Sequence, residues 1–342
     1  MKTAIVILNY NGEELLQKFL PTLISCSAEH EIIIADNCST DGSVSFLQRN
    51  YPQLRIIGLH ENTGYAGGYN NALKDVEADI YVLINSDVEV TENWLTPVLR
   101  LMQSDETIGA CQPKILSYNK KDFFEHAGAA GGFIDVLGYP FCRGRILNTV
   151  EPDHGQYNDA RKIFWATGAC LFIRSKAFHQ LNGFDNDFFA HMEEIDLCWR
   201  LQNHGYTNHY VPSSTVYHVG GATLSQSSPQ KTYFNFRNNI LMLHKNLGFL
   251  SMLFVLFIRH ILDFIAALKF FAEGHSQHSK MIFKAYAWFY KNISSRVRLR
   301  RHTRKGFTHN KVSGVLHRSL VLNYYLLGRT KFSHFKSNSF SE

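Results

Sequence analysis

The stretch that decides the fold is AIVILNYNGEELLQKFLPTLISCSAEHEIIIADNCSTDG, residues 4–42. The apolar run Ala4–Leu8 is too short for a signal-peptide core and reads as a buried strand, ended by Asn9-Tyr10-Asn11-Gly12. Glu13–Ile24 then carries Leu15, Leu16, Phe19, Leu20 and Leu23 at helical spacing, and Glu31–Ala35 is a second short apolar run ended by polar Asp36–Gly42. The alternation continues through a helix Ser43–Asn50, a strand Arg55–Leu59, a Gly-rich loop Glu61–Tyr69, a helix Asn70–Glu77 and a strand Ile80–Ile84. Four short buried strands separated by helices predict an α/β fold with a mostly parallel central sheet, helices on both faces and right-handed crossovers. Open sheets of this kind bind ligands at the carboxyl ends of their strands. Asn9–Asn11, Asp36–Asp41, Asn62–Asn70 and Asn85–Asp87 all fall on that edge.

Farther along, residues 108–175 read as irregular and β-rich, and Glu194–Asn203 as a helix whose inner face is Ile195, Leu197, Cys198 and Leu201. The run Ser225-Gln226-Ser227-Ser228-Pro229 marks a change of composition and predicts two parts, 1–224 and 225–342. With 342 residues, 45% apolar and 13% aromatic, the chain can bury a sizeable core, which excludes wholesale disorder. Its six cysteines are dispersed without a CxxC pair, which argues against a disulfide scaffold and fits a reducing compartment. With no leader recognised, a cytoplasmic location is expected.

The net charge of +6 conceals a division. Residues 1–229 hold 16 Lys+Arg against 26 Asp+Glu (−10), and residues 230–342 hold 19 against 3 (+16). The acidic part is no nucleic-acid binder, and the basic part is suited to an anionic surface, either membrane or nucleic acid. Leu247–Ile258 gives 12 largely apolar residues before Arg259, His260, Asp263 and Lys269 interrupt, too few for a single span. Two readings stand: an interfacial helix with Arg296, Arg298, Arg300, Arg301, Arg304 and Lys305 holding anionic lipid, or a helix packed on the main part beside a solvated basic face. The Ser- and Lys-rich last dozen residues are expected to fray.

Three groups carry possible chemistry. Asp87 follows a buried strand, where a carboxylate is either a ligand or the N-cap of the next helix. Residues 184–196 place five carboxylates among Phe184, Phe188, Phe189 and Met192. A solvated helix start explains acids but not aromatics, so a partly buried wall carrying a general base is the competing reading. His218, beside Gly220-Gly221, is one of 17 histidines and is without context a satisfied polar residue.

Seven motifs in order then resemble the family-2 inverting glycosyltransferases with the GT-A fold, in particular the bacterial rhamnosyltransferase-like branch. They are ILNYNG (7–12), ADNCSTDGS (35–43), NTGYAGGYN (62–70), NSD (85–87), WATGACLFIR (165–174), GFDNDFFAHMEEIDLCWR (183–200) and YHVGG (217–221). The resemblance covers roughly residues 1–245 and implies a Rossmann-like nucleotide-sugar domain. It places the nucleotide on Asn9, Tyr10, Asn11, Asp36, Asn62, Gly64, Gly67, Asn70 and Asn85, although Asp36 alone reads equally as a turn-forming residue. It implies Mg²⁺ or Mn²⁺ on Asp87, the second carboxylate of a DXD motif whose first position is here Asn85, with His218 joining the shell. Trp165, Thr167 and Gly168 match the loop flanking donor sugar and acceptor.

The family's base lies in a Glu-Asp pair at a helix start. Here the pair is Glu193-Glu194, which implies Glu194 as base with Glu193 and Asp196 in support. The implied reaction is metal-assisted direct displacement, from a dTDP-rhamnose or UDP-hexose donor to a saccharide or polyprenyl-linked saccharide, at the inner face of the cytoplasmic membrane, in cell-surface polysaccharide synthesis. The alternative is a non-catalytic nucleotide-sugar-binding component of a polysaccharide assembly complex. Against it, a binder needs no base.

Overall fold

The computed structural model describes residues 1–220, 228–308 and 312–342. Gly221 of the YHVGG motif and the 224/225 boundary lie outside the described residues. The first half runs β1 (Thr3–Asn9), α1 (Glu13–Ser25), β2 (Glu31–Asp36), α2 (Ser43–Asn50), β3 (Arg55–Gly58), α3 (Gly64–Ala72), β4 (Ile80–Ile84), β5 (Val88–Val90), α4 (Thr96–Ser104) and β6 (Ile108–Ser117). A small sheet follows, with β7 (Gly132–Asp135), β8 (Pro140–Cys142), β9 (Arg145–Ile146) and β10 (Thr149–Val150). Then come β11 (Arg161–Ile163), β12 (Cys170–Arg174), α5 (Ser175–Gln180), α6 (Glu193–Asn203) and β13 (Thr207–His218). The basic part forms α7 (Pro229–Asn246), α8 (Phe249–Ala272), α9 (Ser276–Lys291), α10 (Ile293–Thr303), β14 (Val315–Leu316) and α11 (Leu320–Leu327).

Among the described residues the main sheet has the order β11-β13-β6-β12-β4-β1-β2-β3, with β5 paired to β13. The four predicted strands pair in parallel, burying Val6, Ile33 and Leu83 on one face and Ile5, Ile34 and Val82 on the other. That two-sided burial explains why β1, β2 and β4 are continuous apolar runs, while β3 is the half-exposed edge. Antiparallel β12 is inserted between β4 and β6, in register Cys170↔Ile84. Its start therefore lies beside the carboxyl end of β4, and Asn85 N donates to Ala169 O at 3.0 Å. Strand β13 is parallel to β6, which brings His218 to the same edge.

Four expectations are corrected. The helix expected over Asn70–Glu77 starts six residues earlier, inside the Gly-rich loop. Its glycines are weak helix formers but fit where larger residues would not: a Cβ on Gly68 would meet Leu8 at 2.8 Å. The apolar helix is not interrupted at Arg259 but runs 24 residues, long and apolar enough by length and composition to cross a membrane. Arg259 and Asp263 fail to break it because they are an i,i+4 pair (3.2 Å) on its inner face, where Arg259 also donates to Leu137 O (3.1 Å) and Asn239 Oδ1 (2.6 Å).

Part of the arginine cluster faces the protein. Arg300 donates to Leu247 O (2.6 Å) and Arg304 to Asn246 O (2.7 Å), satisfying carbonyls orphaned at the end of α7. Arg296 pairs with Asp187. Finally, the last dozen residues are anchored. Phe332, Phe335 and Phe340 are buried against Phe133 and Phe141, and β14 pairs with β7.

Candidate active site

The sheet's carboxyl edge gathers the predicted loops into one hydrogen-bonded layer. Asn9 Nδ2 donates to Asp36 Oδ1 (3.0 Å), and Ser39 N to Asp36 Oδ2 (3.0 Å). Asp36 is thus buried with each oxygen holding one partner and a lone pair to spare. Asn11 Oδ1 accepts from Thr40 N (2.7 Å), while Tyr10 remains exposed beside it. Asn62 Oδ1 accepts from Asn37 Nδ2 and from Gly64 N, both at 2.9 Å. Gly64 has φ +73°, and a Cβ there would lie 2.4 Å from Phe189 O, so only glycine lets these two segments meet. A Cβ on Gly67 would likewise meet Thr63 at 2.6 Å.

The second group sits where β4, β5 and β13 converge. His218 Nε2 lies 3.1 Å from Asp87 Oδ1 and 3.5 Å from Asn85 Nδ2, and Gly220 N donates to Asp87 Oδ2 at 3.1 Å. On the far side of the ring, His218 Nδ1 lies 3.4 Å from Glu125 Oε2, in ionic contact but without hydrogen-bond alignment. Asp87, Glu125 and His218 are each at most 7% exposed. Burial disfavours the imidazolium, yet its two carboxylate partners outweigh burial and push it up to about 10. Burial likewise opposes ionisation of Asp87, but His218 and Gly220 hold its carboxyl below the ordinary value.

Among the described residues no cluster of three or more metal-ligating side chains is preassembled. Asp87 and His218 Nε2 are nevertheless donors that suit a hard or borderline divalent ion, whose binding would displace the proton that the imidazole otherwise holds. Glu125 is absent from the motif reading. Its only signal in the sequence is a lone acid beside His126, and its place becomes visible only when β13 returns.

The third group is the start of α6. Glu193 and Glu194 occupy its first turn, and each has a buried Oε2 without a partner. Glu194 retains some surface, and Glu193 is 4% exposed. Burial pushes the Glu194 carboxyl up to about 7, and burial together with the neighbouring Glu194 raises Glu193 as well. The helix dipole favours carboxylates at this position, but here desolvation wins. Both acids act electrostatically on Tyr65, whose hydroxyl donates to Gly168 O at 2.8 Å. Gly168 precedes Ala169, whose carbonyl accepts from Asn85 N, so the Tyr65 hydroxyl is tied to the loop that borders the second group.

Other predicted residues have structural partners. Asp196 is fully buried and saturated by Arg200 (2.8 Å), Lys245 (2.7 Å) and Asn246 (2.8 Å), so it anchors the helix and does not support the base directly. Trp165 Nε1 donates to Phe133 O (2.9 Å) and Thr167 Oγ1 to Ala127 O (2.8 Å), which fixes this loop from within. Asn70 ties α3 to Phe184 and Asn186.

The residues before Glu193 are unusual. Phe189, His191 and Met192 have φ of +61°, +70° and +72°. Each left-handed non-glycine costs on the order of 1–3 kcal/mol, so neighbouring structure must hold them. The contacts that do so come from α7 and were not foreseen.

The profile of "Glycosyl transferase family 2" matches residues 4–181, just over half of the chain, which includes Asp36, Asn62 and Asp87 but ends before Glu193, Glu194 and His218. The chain belongs to glycosyltransferase family 2. This glycosyltransferase is 28% identical over 233 residues to N-acetylglucosaminyl-diphospho-decaprenol L-rhamnosyltransferase of Mycobacterium tuberculosis, covering 63% of this chain and 75% of that one. It is 23% identical over 226 residues to rhamnosyltransferase WbbL of Escherichia coli K12, covering 63% and 82%. Among solved structures it resembles GalNAc-T7 with UDP, GalNAc and Mn²⁺, with a TM-score of 0.56 and 15% identity. That match spans 72% of this chain but only 48% of the other, and it speaks to the GT-A fold alone.

Proposed function

We propose that this glycosyltransferase inverts configuration while moving a sugar from a nucleoside diphosphate donor, of dTDP-rhamnose or UDP-hexose type, to a saccharide or polyprenyl-linked saccharide in cell-surface polysaccharide synthesis. The observation that carries the reading is Glu194, whose buried Oε2 has no partner at the start of α6. Its raised proton affinity suits a general base working near neutral pH. Glu194 takes the acceptor hydroxyl proton as the oxygen bonds to the anomeric carbon. The bond to the diphosphate breaks on the opposite face, and its electron pair leaves on the phosphate oxygen. Asp36 and the Asn9, Asn11 and Asn62 loops hold the nucleoside, and Glu193 supports the base or positions the acceptor. Asp87 and His218 would hold Mn²⁺ or Mg²⁺, which when bound neutralises charge on the departing diphosphate. Orientation of donor, acceptor and base supplies the remainder.

The rhamnosyltransferase relatives, one of them named for a lipid-linked substrate, support the donor and acceptor classes. The test is nucleoside diphosphate release from dTDP-rhamnose, UDP-glucose and UDP-N-acetylglucosamine with Mn²⁺, beside Glu194→Gln and Asp87→Ala. Release from one donor, lost in both variants, is expected. Near wild-type transfer by Glu194→Gln overturns the base assignment.

The reading includes peripheral contact with an anionic membrane at its cytoplasmic face. One side of α8 presents Leu250, Leu253, Phe254, Phe257, Ile261 and Phe264 to solvent at helical spacing. At the end of α8, Lys269 lies over Tyr325 of α11, whose exposed Leu326 and Leu327 extend the apolar surface. Exposed Lys280, Lys284, Lys291, Arg298 and Arg301 of α9 and α10 supply positive charge. Because Arg259, midway along α8, is bonded to the globular part, the helix fits lying in the headgroup plane better than crossing the bilayer. Flotation with anionic liposomes at low salt is expected, and protein that stays in the soluble fraction refutes the contact.

A further inference from the structure

Helix α7 buries Ile240, Met242 and Leu243, and it buries Arg237, Asn238, Lys245 and Asn246 as well, the two polar pairs standing two turns apart. Buried polar side chains need partners, and these find theirs in the segment that leads into the base helix. The two N–H groups of Asn238 Nδ2 are shared among the carbonyls of Phe188 (2.9 Å), Ala190 (2.9 Å) and His191 (2.7 Å). Arg237 donates to the carbonyls of Asp187 (2.7 Å) and Phe188 (2.9 Å). One turn-pair farther along, Lys245 bridges Asp185 and Asp196, each at 2.7 Å, which pins both ends of the same segment. The carbonyls gripped by Asn238 belong to the turn in which Phe189, His191 and Met192 are left-handed. The segment's other side touches the nucleotide loops, where Ala66 N donates to Phe189 O at 3.2 Å.

We propose that Asn238, with Arg237, is a positioning element for Glu194: it holds the left-handed turn 188–192 in the one conformation that aims the base into the site. The inference rests on the base reading above. It gives the basic C-terminal part a role in the chemistry besides any contact with lipid. An amide can donate to carbonyls and a carboxylate cannot, so Asn238→Asp keeps the volume and removes the grip. Lysine at 237 keeps the charge and loses the planar fork.

The experiment compares wild type, Asn238→Asp, Arg237→Lys and Glu194→Gln, with Asn239→Ala as the neighbouring control. Asn239 points the other way, to Gly138 O and Arg259. Turnover is measured with whichever of dTDP-rhamnose and UDP-glucose the wild type uses, alongside amide hydrogen exchange of residues 186–195, which requires no turnover. Expected for Asn238→Asp is a kcat 10- to 100-fold lower at an unchanged donor KM, with faster exchange in that peptide, and a smaller fall in the same sense for Arg237→Lys. Asn239→Ala is expected within twofold of wild type in kcat. A Glu194→Gln variant that is dead beside normal kcat in Asn238→Asp and Arg237→Lys overturns this proposal alone. An active Glu194→Gln overturns the base reading and the proposal with it. An equal loss in Asn239→Ala, or unchanged exchange in the 186–195 peptide, also overturns it. Should Asn238→Asp fail to fold, the kcat and KM of Arg237→Lys decide.

Discussion

Replacing Glu194 by glutamine should destroy activity and strengthen the protein at the same time. An unpaired carboxyl of ordinary affinity near 4.5 is held by burial at about 7. Between those values the folded protein keeps a proton that the unfolded chain has released. The stability present below pH 4.5 is therefore lost as pH rises, and the loss is complete above 7. At about 1.4 kcal/mol per unit, the displacement is worth roughly 3 kcal/mol at most, and less to the extent that the partly exposed side chain is screened. Glutamine carries no charge to desolvate and escapes this cost. With an unfolding entropy near 2.1 cal/mol/K per residue over 342 residues, 3 kcal/mol corresponds to a rise in Tm of about 4 °C. Activity moves the opposite way, because loss of a positioned base costs about 10²–10⁴ in rate. The wild-type rate should also climb with pH through about 7 as Glu194 loses its proton.

The assay is urea unfolding of wild type and Glu194→Gln from pH 5 to pH 9, paired with initial rates over the same range. The curves should nearly meet at pH 5 and separate toward pH 8, with the variant the more stable. Parallel stability curves would refute the reasoning, because they would mean that Glu194 is solvated and ordinary.

Three other outcomes are expected. Glu125→Gln should weaken Mn²⁺ binding, read by electron paramagnetic resonance, by about 10- to 100-fold through loss of the carboxylate behind His218; unchanged affinity would remove Glu125 from the site. Asp263→Ala should destabilise by about 3–5 kcal/mol because it strands Arg259, whereas Asp263→Leu combined with Arg259→Met should cost much less by thermal melts. Replacing Phe254 and Phe257 together by serine should leave Tm nearly unchanged, since both are exposed, and abolish flotation with anionic liposomes; retained flotation would place the lipid contact elsewhere.

Strands β1, β2 and β4 were legible because each is buried on both faces, so local hydrophobicity and tertiary position agree, whereas β3 is a half-exposed edge strand whose signal is only the pair Ile56-Ile57. The start of α3 was not legible, because the sequence there is rich in glycine for the sake of packing against Leu8 and Phe189, neighbours that only the fold supplies. Motif order pointed to Asp87 and His218 together, and the fold does bring them within 3.1 Å of each other, while the role of Glu194 remains the proposal made above. Glu125 and Asn238 were not readable, since each meets its partner across 93 and about 50 residues of chain. The buried polar spacing on α7 was the one available trace of the latter. Arg259 misled in the opposite direction: read as a break in an apolar helix, it is the residue that fastens that helix down.

Two neighbouring asparagines on α7 serve different neighbours, Asn238 the turn before Glu194 and Asn239 the Arg259 side chain in the middle of α8. If α8 rests on lipid as proposed, this pair would couple the height of Glu194 to the bilayer surface. A lipid-linked acceptor would then have to raise its hydroxyl to that height, and the number of sugars between lipid and acceptor would set the rate. On vesicles, acceptors one and two sugars long should differ sharply in rate, and the difference should vanish for the same saccharides freed from lipid.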